Sequence, residues 1–204
     1  MVEISAQDRE RIASAIHAAE ARTSGEIVCV LARSSADAPA WPIFTAALAA
    51  LLLPWLLLAF TTMTVHSILF LQILFFLVLV GIVLLPSVRV ALMPRRARRA
   101  VAHRVAREQF LARGLARKKD RSGVLIFVSL AEHYARIIAD DGIAARVAQP
   151  QWQEAIDLLI AHMRNDRIAD GFVAAIGACG DLLSTHFPRT EATRGELPDR
   201  IYLI

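Results

Sequence analysis

A chain of 204 residues with 23 Lys and Arg against 19 Asp and Glu carries a formal net charge of +4, and 56% of it is hydrophobic. That length allows one ordinary domain, or a smaller domain plus something else, and the hydrophobic share is high for a soluble protein. Two cysteines, Cys29 and Cys179, with no CxxC spacing exclude a disulfide framework and read as reduced core residues.

The first element is "ISAQDRERIASAIHAAEART". Ser5 followed by Asp8 is a capping-box-like helix start, and Ile12, Ile16 and Ala19 recur on one helical face. Nothing in these first residues has the apolar core of a signal peptide. "SGEIVCVLARSS" follows, and its β-branched run Ile27 to Ala32, bounded by Gly25 and Ser34, reads as a buried strand. Cys29 lies inside that run and Arg33 follows only four residues later, too close for the anion-binding loop of a cysteine phosphatase.

From Ala38 to Val88 there is no Asp, Glu, Lys or Arg. As one helix this stretch would be roughly 75 Å long, at about 1.5 Å per residue, against a hydrocarbon core of about 30 Å. Two crossings absorb it: residues 43–60 and 67–85, joined by the polar "TTMTVH" at Thr61 to His66. Pro54 is compatible with a transmembrane helix, and Gln72 reads as an interhelical hydrogen-bonding group. Arg89 and the cluster Arg95, Arg96, Arg98 and Arg99 come directly after the second span, while the turn has no Lys or Arg. The positive-inside rule places both chain ends in the cytoplasm, with the hairpin in the cell inner membrane. The basic cluster is then a membrane-surface anchor on anionic headgroups, and no nucleic-acid partner is needed to explain it.

"RRARRAVAHRVAREQFLARGLARKK" is a long basic helix with Val101, Val105, Phe110 and Leu115 on its core side, weakened near Gly114. In "SGVLIFVSLAEHYARIIADDGI", Val124 to Val128 form a second strand and Arg136 to Ala139 a third returning beside it. "PQWQEAIDLLIAHMRN" and "ADGFVAAIGACGDLLSTHF" are amphipathic helices led by Trp152 and Phe172. Trp152 reads as a core residue, with a ligand-facing aromatic as the alternative. "PRTEATRGELPDRIYLI" reads as an irregular tail over the domain. The domain thus divides into residues 1–40, a hairpin at 41–88, a second part at 89–190 and a tail at 191–204. Its expected fold is an α/β/α sandwich with a mixed sheet.

No phosphate-binding glycine loop and no GxSxG elbow occurs, and the six histidines form no HxH or HxxxH pair for zinc. The candidate site residues are acids: Asp140 and Asp141 after the third strand, Glu26 opening the first, and Asp120 before the second. Ligands gather beyond strand ends in open α/β sheets, and hard cations take carboxylate oxygens. The local alternative is that Asp140 caps a helix starting near Gly142 and that Asp141-Gly142 is a turn.

Taken together, "SGEIVCVLARSS", "SGVLIFVSLAEHYARIIADDGI", the helix at Trp152, "ADGFVAAIGACGDLLSTHFP" and "GELPDR" resemble the TPM domain. That family is named for a thylakoid lumen protein, a photosystem II repair protein and a nematode receptor-modulating protein. The nearer likeness is to its bacterial integral-membrane branch, in which a hairpin splits the domain. The resemblance implies an α/β/α sandwich, acid-phosphatase activity in some members and divalent-cation binding at acids near strand ends. Carried to this chain, it makes Asp140, Asp141 and Glu26 the cation ligands, with Mg2+ or Ca2+ as the ion. Gly195 stands in "GELPDR" where a more polar residue is expected. The reading is a membrane-anchored interaction or assembly module whose partners are the bilayer, other membrane proteins and a second copy of the chain. The alternative is a metal-dependent phosphoester hydrolase, for which no catalytic constellation can be assigned.

Overall fold

The computed structural model describes residues 4–35, 40–62, 64–85, 88, 93–115, 122–189 and 197–204. Asp120, Arg89 and Gly195, singled out in the sequence, lie outside them. Two compact units emerge: Met1–Ser34 with Ala102–Ile204, and Ser35–Val101.

The first unit is built on a four-stranded mixed sheet in the order β3-β2-β1-β4. Strands β1 (Glu26–Ala32) and β2 (Gly123–Ser129) lie at its centre and are buried at every position. Their uninterrupted apolar runs are what a strand covered on both faces requires. They run parallel, pairing Glu26 with Gly123. Strand β3 (Tyr134–Ala139) is antiparallel to β2 and forms one edge.

The other edge departs from expectation. The irregular tail ends in β4 (Ile201–Leu203), which pairs parallel with β1. Arg33 N–H donates to the Ile204 carbonyl at 2.9 Å, and the Arg113 guanidinium lies 3.8 Å from the Tyr202 ring centroid. Three residues after two prolines carry no periodicity of their own, so the ladder with β1 makes them a strand.

Helices cover both faces. Helix α1 (Ala6–Glu20) starts at Ser5, whose hydroxyl accepts Asp8 N–H at 3.0 Å, and buries Ile12, Ile16 and Ala19. On the same face lie the short α5 (Asp141–Ala144), α6 (Gln149–Met163) and α7 (Ile168–His186). They contribute Ile143, Trp152, Ile156, Leu159, Phe172, Ile176, Cys179 and Leu183 to one core. Trp152 is therefore a packing residue, 2% exposed. A Cβ at Gly180 would meet the Ala19 Cβ at 2.8 Å, which is how closely α7 passes α1. On the opposite face Ala106 and Phe110 of α4 (Arg95–Ala112) pack on Val28, Val30, Leu125 and Phe127. Of the expected stripe, Phe110 and Leu115 are buried and Val105 packs against them, with Ala102 and Ala106 buried beside it.

The second unit pairs α2 (Ala40–Phe60) with α3 (Val65–Val83). Their outer surface is apolar: Trp55 is 74% exposed, Phe60 81% and Phe70 70%. Among the described residues, three helices are long and apolar enough to cross a membrane: α2, α3 and α7. Unlike the other two, α7 spends its apolar face inside the first unit's core.

Candidate functional site

The antiparallel return of β3 brings its end to the same edge of the sheet as the beginnings of β1 and β2. Glu26 N–H donates to the Ser122 carbonyl at 3.0 Å, and Asp140 N–H to the Gly123 carbonyl at 2.9 Å. Glu26 and Asp140 are both buried. Asp140 is the N-cap of α5: its backbone is extended and its Oδ1 accepts Asp141 N–H at 2.7 Å. Its Oδ2 is buried with no hydrogen-bond partner among the described residues. Asp141 is exposed in the first turn of α5, where a carboxylate meets the positive end of the helix.

Glu26 lines a cavity to which neither aspartate contributes. That cavity, about 380 Å³, is bounded by His17, Glu20, Glu26, Arg189 and Asp199 together with the chain from Thr23 to Gly25. Glu20 Oε1 accepts Ile27 N–H at 2.7 Å, and His17 Nδ1 lies 3.0 Å from Asp199 Oδ2. Arg189 donates to the Ala21 carbonyl at 3.2 Å. Burial pushes the Glu20 carboxyl up to about 8, and the negative charges of Asp199 and Glu26 push the same way. Burial and the neighbouring carboxylates thus bias Glu20 toward its neutral form in this cavity.

Sequence reasoning singled out Glu26 but missed Glu20 and Asp199. The only cue was the position of Asp199 in "GELPDR", just before the unrecognised β4. Among the described residues no three His, Cys, Asp or Glu side chains are placed to hold a metal ion. The cysteines offer no nucleophile: both are free and buried. Burial pushes the Cys179 thiol up to about 12 and holds Cys29 well above its ordinary range. In the basic cluster, Arg95, Arg96 and Arg99 are exposed, while Arg98 is half-buried and donates from Nε to the Met93 carbonyl at 2.7 Å.

The capping geometry gives a direct expectation. Asp140→Ala should lower stability by about 1 kcal/mol in denaturant melts, whereas Asp140→Asn, an equally good N-cap, should change it little. Equal losses in both variants would assign the stabilisation to the negative charge instead of the cap.

A TPM domain model matches residues 86–182, from before α4 into α7. The solution structure of the BA42 protein from the psychrophilic bacterium Bizionia argentinensis is similar in fold, with a TM-score of 0.63 at 19% identity. That likeness covers 98% of this chain and 95% of BA42. No curated protein matches. The matched stretch supplies β2, β3, α5 and α6 of the domain just described, and over those residues the chain is similar to the TPM domain.

Proposed function

We propose that this chain is a membrane-anchored TPM module. Its α2–α3 hairpin crosses the membrane twice and holds the domain at the cytoplasmic face of the inner membrane, where it serves other membrane proteins as an assembly or maintenance factor. The observation that carries this reading is the contrast between two helices with large apolar side chains turned outward and a domain that buries its own. Bilayer lipid is the natural cover for the outer surface of α2 and α3. Two spans are preferred to three because α7 has its apolar face in the domain core. The orientation follows from Arg95, Arg96, Arg98 and Arg99 after the second span, against a turn without Lys or Arg.

Membrane pellets washed with alkaline carbonate test the anchoring. The chain should stay in the pellet and leave it only with detergent; release by carbonate alone would reduce the hairpin to a surface attachment. Turnover of p-nitrophenyl phosphate by the purified chain, lost in Glu20→Gln and Glu26→Gln variants that still fold, would replace the assembly reading with the hydrolase one.

A further inference from the structure

A second cleft lies away from the acidic cavity, on the edge strand. It encloses about 320 Å³ and is lined by His103 and Arg107 of α4, Arg136 to Ala139 of β3, and Ala144, Val147, Gln149 and Trp152 around α5 and α6. With about 30 Å³ of liquid volume per water, it has room for a phosphate group and a small substituent. We propose that this cleft is a binding site for a phosphate-class dianion, gripped by the Arg107 and Arg136 guanidiniums with His103 and Gln149 as further donors.

The secondary structure explains why these residues meet. His103 and Arg107 stand four apart on α4 and so share a face. Arg136 stands two residues from both Tyr134 and Ile138 and so shares their sheet face, the one on which α4 packs. Because β3 is the edge strand, the cleft opens to solvent at the sheet's margin. No Asp or Glu lines it. Neither Arg107 nor Arg136 has an ion pair or hydrogen bond among the described residues, although Arg104 on the same helix pairs with Glu108.

Two unpaired guanidiniums at one cleft repel each other, and a ligand carrying two negative charges relieves that repulsion. The planar guanidinium fork suits phosphate oxygens bidentately, which favours phosphate over a single carboxylate. The imidazole registers the same field. Partial burial lowers the His103 pKa, and the charges of Arg136 and Arg107 lower it further, while its Nδ1 faces the Tyr134 hydroxyl at 3.5 Å. A bound dianion would offset the arginines and move His103 back up. The phosphate could belong to a small soluble ester or to a lipid headgroup, and the chemistry of the grip is the same.

The test uses the full chain in phosphatidylcholine nanodiscs, titrated with inorganic phosphate and followed by calorimetry and by NMR of the His103 ring. One saturable site is expected, with an upward shift of the His103 titration. Arg107→Gln and Arg136→Gln should each weaken it roughly tenfold or more, the worth of one charge-assisted hydrogen bond, with unchanged melting. In a second arm, discs containing phosphatidic acid replace the soluble anion. A His103 shift appearing there without added phosphate identifies a lipid headgroup as the source; a shift only with inorganic phosphate identifies a soluble ester. Three results would each overturn the proposal: no saturable binding and no His103 shift in either arm, binding undiminished in both arginine variants, or tighter binding of a glutamate-rich peptide than of phosphate. None of them bears on the membrane reading, which the carbonate wash tests separately.

Discussion

Phe172→Ala is expected to destabilise the domain by about 3–5 kcal/mol, the cost of a large cavity in a core that cannot collapse. Phe70→Ala in α3 should leave the domain's denaturant midpoint within about 0.5 kcal/mol of the parent, as surface changes do. The two residues are both phenylalanines on long apolar helices, yet Phe172 is fully buried and Phe70 is 70% exposed. Phe172 sits on α7 among Ile176, Cys179 and Leu183, in the core shared with α1, α6 and the sheet. Unfolding of the detergent-solubilised chain in urea, followed by far-ultraviolet circular dichroism, separates the cases. If Phe172→Ala cost no more than Phe70→Ala, α7 would not be a core helix, and its use as a third span would have to be restored.

Glu20→Gln should make the protein more stable above pH 8 and flatten its loss of stability between about pH 4.5 and 8. The sign follows from the carboxyl's position. Its ordinary value of 4.5 is pushed up to about 8 by burial first, and then by the charges of Asp199 and Glu26. The folded chain therefore holds a proton that the unfolded chain has already released through most of that range. The stability linked to this proton is fully present below pH 4.5, declines as pH rises and is lost by pH 8. Glutamine is neutral throughout, still accepts Ile27 N–H through its oxygen, and can donate to Asp199 through its amide nitrogen. After allowance for solvent screening, the gain above pH 8 should be about 1–2 kcal/mol, on the order of one pKa unit. Thermal melts of parent and variant across the range measure it. A variant that is less stable at high pH, or an unchanged slope, would show that Glu20 is ionised in the folded protein.

Much of the fold was legible because its signals are local. Strands β1 and β2 declare themselves by unbroken apolar runs, α1 by Ser5 and Asp8, and α7 by Phe172, Ile176, Cys179 and Leu183 at helical spacing. The cap at Asp140 was legible for the same reason, since an aspartate two residues before a glycine can be read within one turn. What escaped depends on pairing. Strand β4 exists because β1 offers Cys29 and Leu31 as partners to Ile201 and Leu203. Asp199 reaches His17 and Glu20 only because β4 docks there. Arg136 meets His103 and Arg107 because β3 turns back antiparallel and takes the edge. The two clefts with the most chemistry thus rest on strand order, which one sequence does not reveal.

In the proposed arrangement the hairpin crosses the membrane with the domain on its cytoplasmic side. Cys29 and Cys179 are buried, with thiols held well above their ordinary range, so the natural chain gives a silent background for thiol labelling. A single cysteine introduced as Thr62→Cys in the turn between α2 and α3, or as Ala145→Cys on the domain surface, can then be exposed to a membrane-impermeant maleimide on intact spheroplasts. Thr62→Cys is expected to label at once and Ala145→Cys only after the membrane is permeabilised. Labelling of Ala145→Cys on intact spheroplasts would contradict it.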